Sequence, residues 1–235
     1  MRVLNKQRVR AAYNLIRNNS GGGIRVLCYH TVIQDWVDRR IQWPVSVTLK
    51  AFERHMSYLK SQVDIVSIDD LPSILHQGRK ARDRAVAVTF DDGYRSNAQL
   101  AWPLMKSLGL PMTVFVSTGF LDTLRWMPTF LVRCAVYHPS VSQVTLFSAG
   151  RNYRLETDTE REFAEQDLAR LVRNRNHKQL EILLAELRAT LSEDLWAECF
   201  ARFSSDHLMS WDEVIQLYRD GVVIGAPTHH HVLVS

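Results

Sequence analysis

The feature that most constrains the fold of this chain is an alternation of short apolar runs with stretches of helical periodicity. The runs rich in β-branched residues are Ile24–His30, Val63–Ser67, Ala85–Phe90 and Met112–Ser117. Between two of them, apolar residues recur at helical spacing behind Thr48, a good helix cap. Helical crossovers of this kind join parallel strands. The sequence therefore predicts an α/β fold, either an open sheet or a barrel.

The same alternation divides the chain into segments. A helix is predicted from Arg95 to Ser107, and the pattern resumes near the end with Ser210, a helix over Trp211–Arg219 and a strand over Val222–Gly225. Residues 122–205 interrupt it with a hairpin (144–155) and helical stretches, and we interpret them as a mainly helical insertion. We expect a domain over residues 24–235, preceded by a basic helix and Gly-rich linker over residues 1–23.

Charge is unevenly distributed along the chain. The chain has 29 basic and 25 acidic residues, a net charge of +4 that by itself does not indicate nucleic-acid binding. Residues 1–34 contain no acidic residue. Two interpretations stand for this basic segment: a solvated helix packed on the domain, or peripheral attachment to an anionic membrane. It lacks the features of a secretory signal peptide, so we expect a cytoplasmic protein, with the inner membrane surface as one location.

Cysteine content and hydropathy exclude further classes. Cys28, Cys134 and Cys199 are widely spaced and odd in number, which argues against a disulfide framework and against a thiolate zinc site. The longest nearly apolar stretch, residues 110–121, is interrupted by polar residues, proline and glycine, and falls short of the roughly 20 apolar residues of a membrane span.

Two carboxylates stand where a buried strand is predicted to end, in Thr89-Phe90-Asp91-Asp92-Gly93-Tyr94. Active sites of α/β folds lie at such strand ends. Because successive side chains of an extended segment point to opposite sides, one aspartate can bind a metal while its neighbour faces water or substrate. The alternative is structural, since Asp is also a common helix cap and Gly a common turn residue.

A second polar group follows the last predicted strand, in the segment from Ile224 to His231. Three consecutive histidines lie here, and neutral imidazole is a common zinc ligand. In extended chain, His229 and His231 point to the same side. A histidine cluster at one strand end and an acidic pair at another together indicate a metal site.

These segments resemble, in order, the polysaccharide deacetylase family, the NodB-like domains of carbohydrate esterase family 4. Residues 27–30 resemble the family's opening strand, residues 52–59 and 66–71 its next unit, residues 89–94 its first catalytic motif, and residues 110–116 the strand that follows. Residues 209–214 resemble the approach to the second motif, and residues 221–235 the motif itself. The resemblance covers residues 24–121 and 205–235.

The resemblance implies a distorted (β/α) barrel that holds a divalent metal, zinc or cobalt, on one aspartate and two histidines. By position, Asp91 is the general base, Asp92 a metal ligand, and His231 the second histidine of the family's H-x-x-x-H motif. The metal would polarise the acetamide carbonyl and lower the pKa of a water while Asp91 removes the water's proton. Tyr29 and His30 are expected at most to line the pocket.

Two departures from the family pattern are visible. Pro227, which offers no donor atom, stands where the first histidine of the motif is expected, and His229 is the candidate substitute about 7 Å further along an extended strand. The sequence also ends at Ser235, after the second motif, without counterparts of the family's later motifs. We therefore expect a truncated or degenerate member, or a partial gene product, whose barrel is incomplete at the C-terminus and leaves a sheet edge exposed.

The resemblance thus implies a metal-dependent hydrolase that removes N-acetyl groups from the amino sugars of a polysaccharide or glycan. Two alternatives remain: a catalytically impaired remnant that binds glycan or a partner protein, and an O-acetyl esterase of the same fold. Amide and ester hydrolysis share the attack and the stabilisation of the oxyanion, so the motifs do not separate them.

Overall fold

The computed structural model describes residues 23–35, 45–76, 83–121, 127–202 and 207–226. They form two compact units, one from residues 23–121 and 207–226 and the other from residues 127–202. The first unit contains the strands β1 (Arg25–Tyr29), β2 (Thr31–Ile33), β3 (Ser46–Thr48), β4 (Asp64–Val66), β5 (Ala85–Phe90), β6 (Thr113–Phe115) and β9 (Val223–Gly225). Its helices are α1 (Leu49–Gln62), α2 (Leu71–His76), α3 (Trp102–Ser107) and α8 (Trp211–Arg219).

The first unit is built on a parallel sheet of five strands around β5. β1 runs along one edge of β5, with Arg25 opposite Val86 and Tyr29 opposite Phe90. β4 pairs with the first half of β5 and β6 with its last two residues, so these two strands follow one another along the other edge. β9 pairs with β6 beyond them. All six residues of β5 are buried, as expected for the central strand of a covered parallel sheet.

The predicted α/β class is confirmed, but the predicted barrel is not. A barrel requires every strand to pair on both sides. Among the described residues, β1 pairs only with β5 and β9 only with β6, so the sheet is open. Its core is formed by apolar side chains of the sheet and of the helices that pack on it, including Phe52, Met56, Phe90, Met105 and Val114.

Several helices follow directly from their end residues. The Thr48 hydroxyl accepts a hydrogen bond from the Ala51 N–H and begins α1, as predicted. α8 begins with a capping box in which Ser210 and Glu213 each bond the other's backbone N–H. Glu213 also accepts from Arg95, whose Nε lies 3.0 Å away, and this ion pair ties α8 to the segment after β5.

The helix predicted over residues 95–107 is interrupted by a π-helical turn from Asn97 to Ala101. The Trp102 N–H bonds the carbonyl of Asn97, five residues earlier, in place of the usual four. Pro103 has no N–H to donate, so the α-helical ladder cannot continue through this point. The irregular turn carries Asn97, which is fully buried and reaches the functional site.

The second unit consists of the helices α4 (Pro128–Tyr137), α5 (Asp158–Arg173), α6 (His177–Ala189) and α7 (Glu193–Arg202) and of the strands β7 (Gln143–Leu146) and β8 (Arg151–Arg154). The two strands form the predicted antiparallel hairpin. Behind it, the buried Asp167 carboxylate accepts from the Tyr153 hydroxyl at 2.8 Å and from Arg151 Nε at 3.1 Å. These bonds satisfy a buried charge, as a stable core requires.

Candidate active site

The candidate site lies at the carboxyl end of the parallel sheet, where β1 and β5 finish side by side. Cys28 is opposite Thr89 and Tyr29 is opposite Phe90 in the strand register. The ladder then continues one step beyond the strands, because the Asp91 N–H donates to the Tyr29 carbonyl at 2.9 Å. Asp91 is thus held by backbone at the edge of the sheet where α/β proteins bind ligands.

The next two residues form an unusual turn. Asp92 has φ +72° and Gly93 has φ +82°, so two consecutive residues adopt the left-handed region. This conformation costs a non-glycine residue such as Asp92 free energy, and strain of this kind is concentrated at functional sites. Backbone bonds hold the turn: Ser117 N–H donates to the Asp92 carbonyl at 3.2 Å, and Met209 N–H donates to the Gly93 carbonyl at 2.9 Å.

The turn places the two aspartates in different surroundings. Asp92 is buried, with 5% of its surface exposed, whereas Asp91 is half-buried. A Cβ atom on Gly93 would lie 3.0 Å from Cγ1 of Val116, so the turn also packs closely against the chain after β6. Different burial allows adjacent carboxylates to take different chemical roles.

Asp91 contacts a cysteine of the neighbouring strand. The Cys28 thiol donates to Oδ2 of Asp91 at 3.1 Å. Burial, together with this hydrogen bond and the charge of Asp91, raises the pKa of Cys28 to about 12. Within the described part of the chain, Cys28, His30 and Asp91 form a group whose potential ligand atoms all lie within 4.8 Å of one another.

An aromatic cluster lies beneath the end of β1. The Tyr29 ring packs edge-on against Phe52, with centroids 5.1 Å apart, and stacks on Phe90 at 5.6 Å. Its hydroxyl is 3.3 Å from Nδ1 of His55. Burial raises the pKa of Tyr29 well above its ordinary value, and burial followed by the charge of Arg54 lowers the pKa of His55. Both groups are therefore neutral at pH 7.

The second predicted motif begins at the same edge of the sheet. Gly225, the last residue of β9, pairs with Phe115, and its carbonyl accepts from the Val116 N–H at 2.8 Å. The chain after β6 thus bonds both the Asp92 turn, through Ser117, and the end of β9. Pro227, His229 and His231 lie outside the described residues, and their expected roles remain predictions.

Residues 78–235, more than half of the chain, match the family described as Polysaccharide deacetylase. The chain is a member of the polysaccharide deacetylase family. A Bacillus subtilis (strain 168) protein named "Putative polysaccharide deacetylase YxkH" is 29% identical over 102 residues. That alignment covers 43% of this chain and 34% of the relative, so the matched region spans about a third of the relative's length.

Two solved structures are similar to the chain at lower identity. IcaB from Ammonifex degensii is 18% identical with a TM-score of 0.39, and the alignment covers 92% of this chain and 93% of IcaB. The deacetylase PplD from Streptococcus pyogenes is 16% identical with a TM-score of 0.38, over 72% of this chain and 82% of PplD. At these scores, the assignment to the family rests on the family match alone.

Cys28 and His30 were not predicted as catalytic or metal-binding residues. The cysteine count argued against a thiolate ligand, and His30 was expected at most to line a pocket, yet both residues lie beside Asp91. Their i, i+2 spacing at the end of a predicted strand is the signal that could have found them.

The basic segment assigned to residues 1–23 lies almost wholly outside the described residues, and membrane attachment through it stays a prediction. Among the helices described, none is long and apolar enough to cross a bilayer.

Proposed function

We propose that this chain is a metal-dependent deacetylase that removes N-acetyl groups from the amino sugars of a glycan or polysaccharide. The observation that carries the proposal is the strained Asp91-Asp92-Gly93 turn at the carboxyl end of the central strand, in a chain of the polysaccharide deacetylase family. It offers one half-buried and one buried carboxylate at the sheet edge where substrates bind.

Asp91 is the general base in this proposal. Its carboxylate accepts a proton from a water as the water oxygen attacks the acetyl carbon. The carbon–nitrogen bond then breaks as a proton reaches the departing nitrogen, and acetate and a free amine are released. The Cys28 thiol donates to Oδ2, so one carboxylate oxygen is oriented and the other remains available for the proton. Asp91 is held in place by the backbone bond to Tyr29.

Asp92, His231 and His229 are the proposed donors to the metal. Carboxylate oxygen and imidazole nitrogen are the ligands zinc and cobalt prefer, so the donor set fits such an ion. When bound, the ion supplies Lewis-acid polarisation of the acetamide carbonyl. Asp92 is suited to the role of ligand because it is buried at the same edge of the sheet.

Pro227 favours a second candidate, a glycan-binding remnant without competent metal chemistry, because proline cannot replace a histidine ligand. An O-acetyl esterase shares the same base. The test is acetate release by the full chain loaded with Zn²⁺ or Co²⁺, on N-acetylglucosamine oligomers and on acetylated xylan. Release from the oligomers supports the amide hydrolase, release from xylan alone supports the esterase, and binding of oligomers without release supports the remnant.

A further inference from the structure

Three different metal donors converge at the ends of β1 and β5, and Asp92 is not among them. Cys28 and His30 are two residues apart in extended chain, so their side chains leave the same face. The register that pairs Tyr29 with Phe90 places His30 next to Asp91 on the neighbouring strand. Because paired residues of adjacent strands share a face, the topology brings sulfur, imidazole nitrogen and carboxylate oxygen together.

The backbone of this group is fixed on both strands. The Asp91 N–H donates to the Tyr29 carbonyl at 2.9 Å, and the buried Asn97 side chain donates to the His30 carbonyl at the same distance. Within the described part of the chain, no hydrogen bond engages the His30 ring. The donors thus stand on rigid elements, with the His30 ring nitrogens uncommitted, and potential ligand atoms lie within 4.8 Å of one another.

We propose that Cys28, His30 and Asp91 form a binding site for a thiophilic divalent cation such as Zn²⁺. Thiolate, imidazole and carboxylate are all zinc ligands, and three protein ligands leave a fourth position open. On binding, the Sγ–H bond of Cys28 breaks, a bond between sulfur and the cation forms, and the proton passes to solvent. Magnesium and calcium prefer oxygen donors and do not suit this set.

A cation at this site would also affect acetate release, and this part of the proposal rests on the proposed function. The Asp91 carboxylate is the proposed base. A cation bound to it together with Cys28 and His30 prevents it from accepting the proton of the attacking water. Excess zinc then inhibits acetate release, whereas the ion on Asp92 supports it. Cys28→Ser relieves this inhibition because the softest donor is removed.

The test is a titration of the metal-free full chain with Co²⁺, read by the thiolate-to-cobalt charge-transfer band in the near ultraviolet. We expect the band in the natural chain, in Asp92→Asn and in a Cys134→Ala, Cys199→Ala control, because the last two cysteines are buried in the other unit. Cys28→Ser abolishes the band, and His30→Ala weakens Co²⁺ binding by at least about 10-fold. A natural chain without the band, or a band that survives Cys28→Ser, overturns the proposal.

A second measurement needs no variant. Zn²⁺ in excess over both sites should protect Cys28 of the natural chain from alkylation by iodoacetamide, with the modified residue located by peptide mass spectrometry; unprotected Cys28 contradicts the site. The band does not depend on activity. If the band forms but neither the natural chain nor Cys28→Ser, in which the inhibition is relieved, releases acetate, the proposed function is refuted and this site is retained; acetate release without the band does the reverse.

Discussion

The thiol of Cys28 donates a hydrogen bond of 3.1 Å to Oδ2 of Asp91, and this bond joins the end of the first strand to the first aspartate of the strained turn. The two residues are 63 positions apart in the chain. The bond orients the carboxylate proposed as general base, and the carboxylate in turn disfavours the thiolate form of the cysteine.

Cys28 is therefore expected to react slowly for an exposed cysteine. Burial first, and then the bond to Asp91, raise the pKa of its thiol to about 12, so little thiolate exists at pH 8. Asp91→Asn removes the negative charge, lowers the pKa and speeds alkylation. The measurement is the pH dependence of the iodoacetamide reaction in a Cys134→Ala, Cys199→Ala background, and an unchanged rate in Asp91→Asn would contradict the assigned contact.

The turn at Gly93 depends on the absence of a side chain. Gly93→Ala meets both a positive φ and a contact with Val116, whereas Gly109→Ala has φ +64° with nothing within 4 Å of the added Cβ. We expect Gly109→Ala to lower the free energy of unfolding by about 1–2 kcal/mol, the ordinary cost of left-handed backbone. Gly93→Ala should cost a further ~1–3 kcal/mol from crowding.

Urea unfolding of the two glycine variants beside the natural chain checks this difference. Equal losses in the two variants would show that Val116 yields to the added methyl group at no cost.

His55 should make the stability of the first unit depend on pH. Its pKa is lowered in the folded protein by burial and by Arg54, whereas the unfolded chain keeps the ordinary value of 6.5. Below pH 6.5 the unfolded state binds more protons, so the free energy of unfolding falls as the pH falls toward the folded pKa. The contribution is complete above pH 6.5.

His55→Gln should flatten this part of the stability profile, and His76→Gln, at an exposed histidine of α2, is the matched control. Urea unfolding between pH 4.5 and 8 supplies the measurement, with the pH range chosen to span the unfolded value. If both variants keep the slope of the natural chain, His55 is not the group that titrates.

Pro227 is expected to limit metal affinity. Pro227→His restores the missing imidazole of the family motif. Residues that only hydrogen-bond to a metal ligand change metal affinity by roughly 10 to 100-fold, so we expect a restored ligand to tighten Zn²⁺ binding by more than that. Elemental analysis after zinc loading and dialysis gives the metal content per chain. Equal retention by the natural chain and the variant would mean that position 227 does not supply a ligand.

Local signals predicted much of the first unit. The strand Ala85–Phe90 has the predicted bounds because an unbroken run of β-branched and apolar residues suits a strand buried on both faces. The helix Trp211–Arg219 also has the predicted bounds, because the Ser210 capping box defines its start. The short parallel pair of β2 and β3 was not predicted, since three-residue strands carry too little periodicity.

The candidate site was predictable only in part. The acidic pair could be placed at a strand end from local pattern, but its neighbours depend on which strands pair with β5. Register between β1 and β5 is set by tertiary packing, so the approach of Cys28 and His30 to Asp91 could not be read from a single segment. The left-handed turn at Asp92 and Gly93 likewise depends on backbone bonds from distant segments, from Ser117 to the Asp92 carbonyl and from Met209 to the Gly93 carbonyl.

The most direct test of the account compares Asp91 with Asp70, an aspartate from a second Asp-Asp pair elsewhere in the chain. Asp91 and Asp92 follow Phe90, whereas Asp69 and Asp70 follow Ile68, and Asp70 is exposed. The measurement is acetate release from N-acetylglucosamine oligomers by the Zn²⁺- or Co²⁺-loaded full chain. The account predicts release by the natural chain and by Asp70→Asn, and a loss of about 10² to 10⁴-fold in Asp91→Asn. Equal release by Asp91→Asn and the natural chain would contradict it.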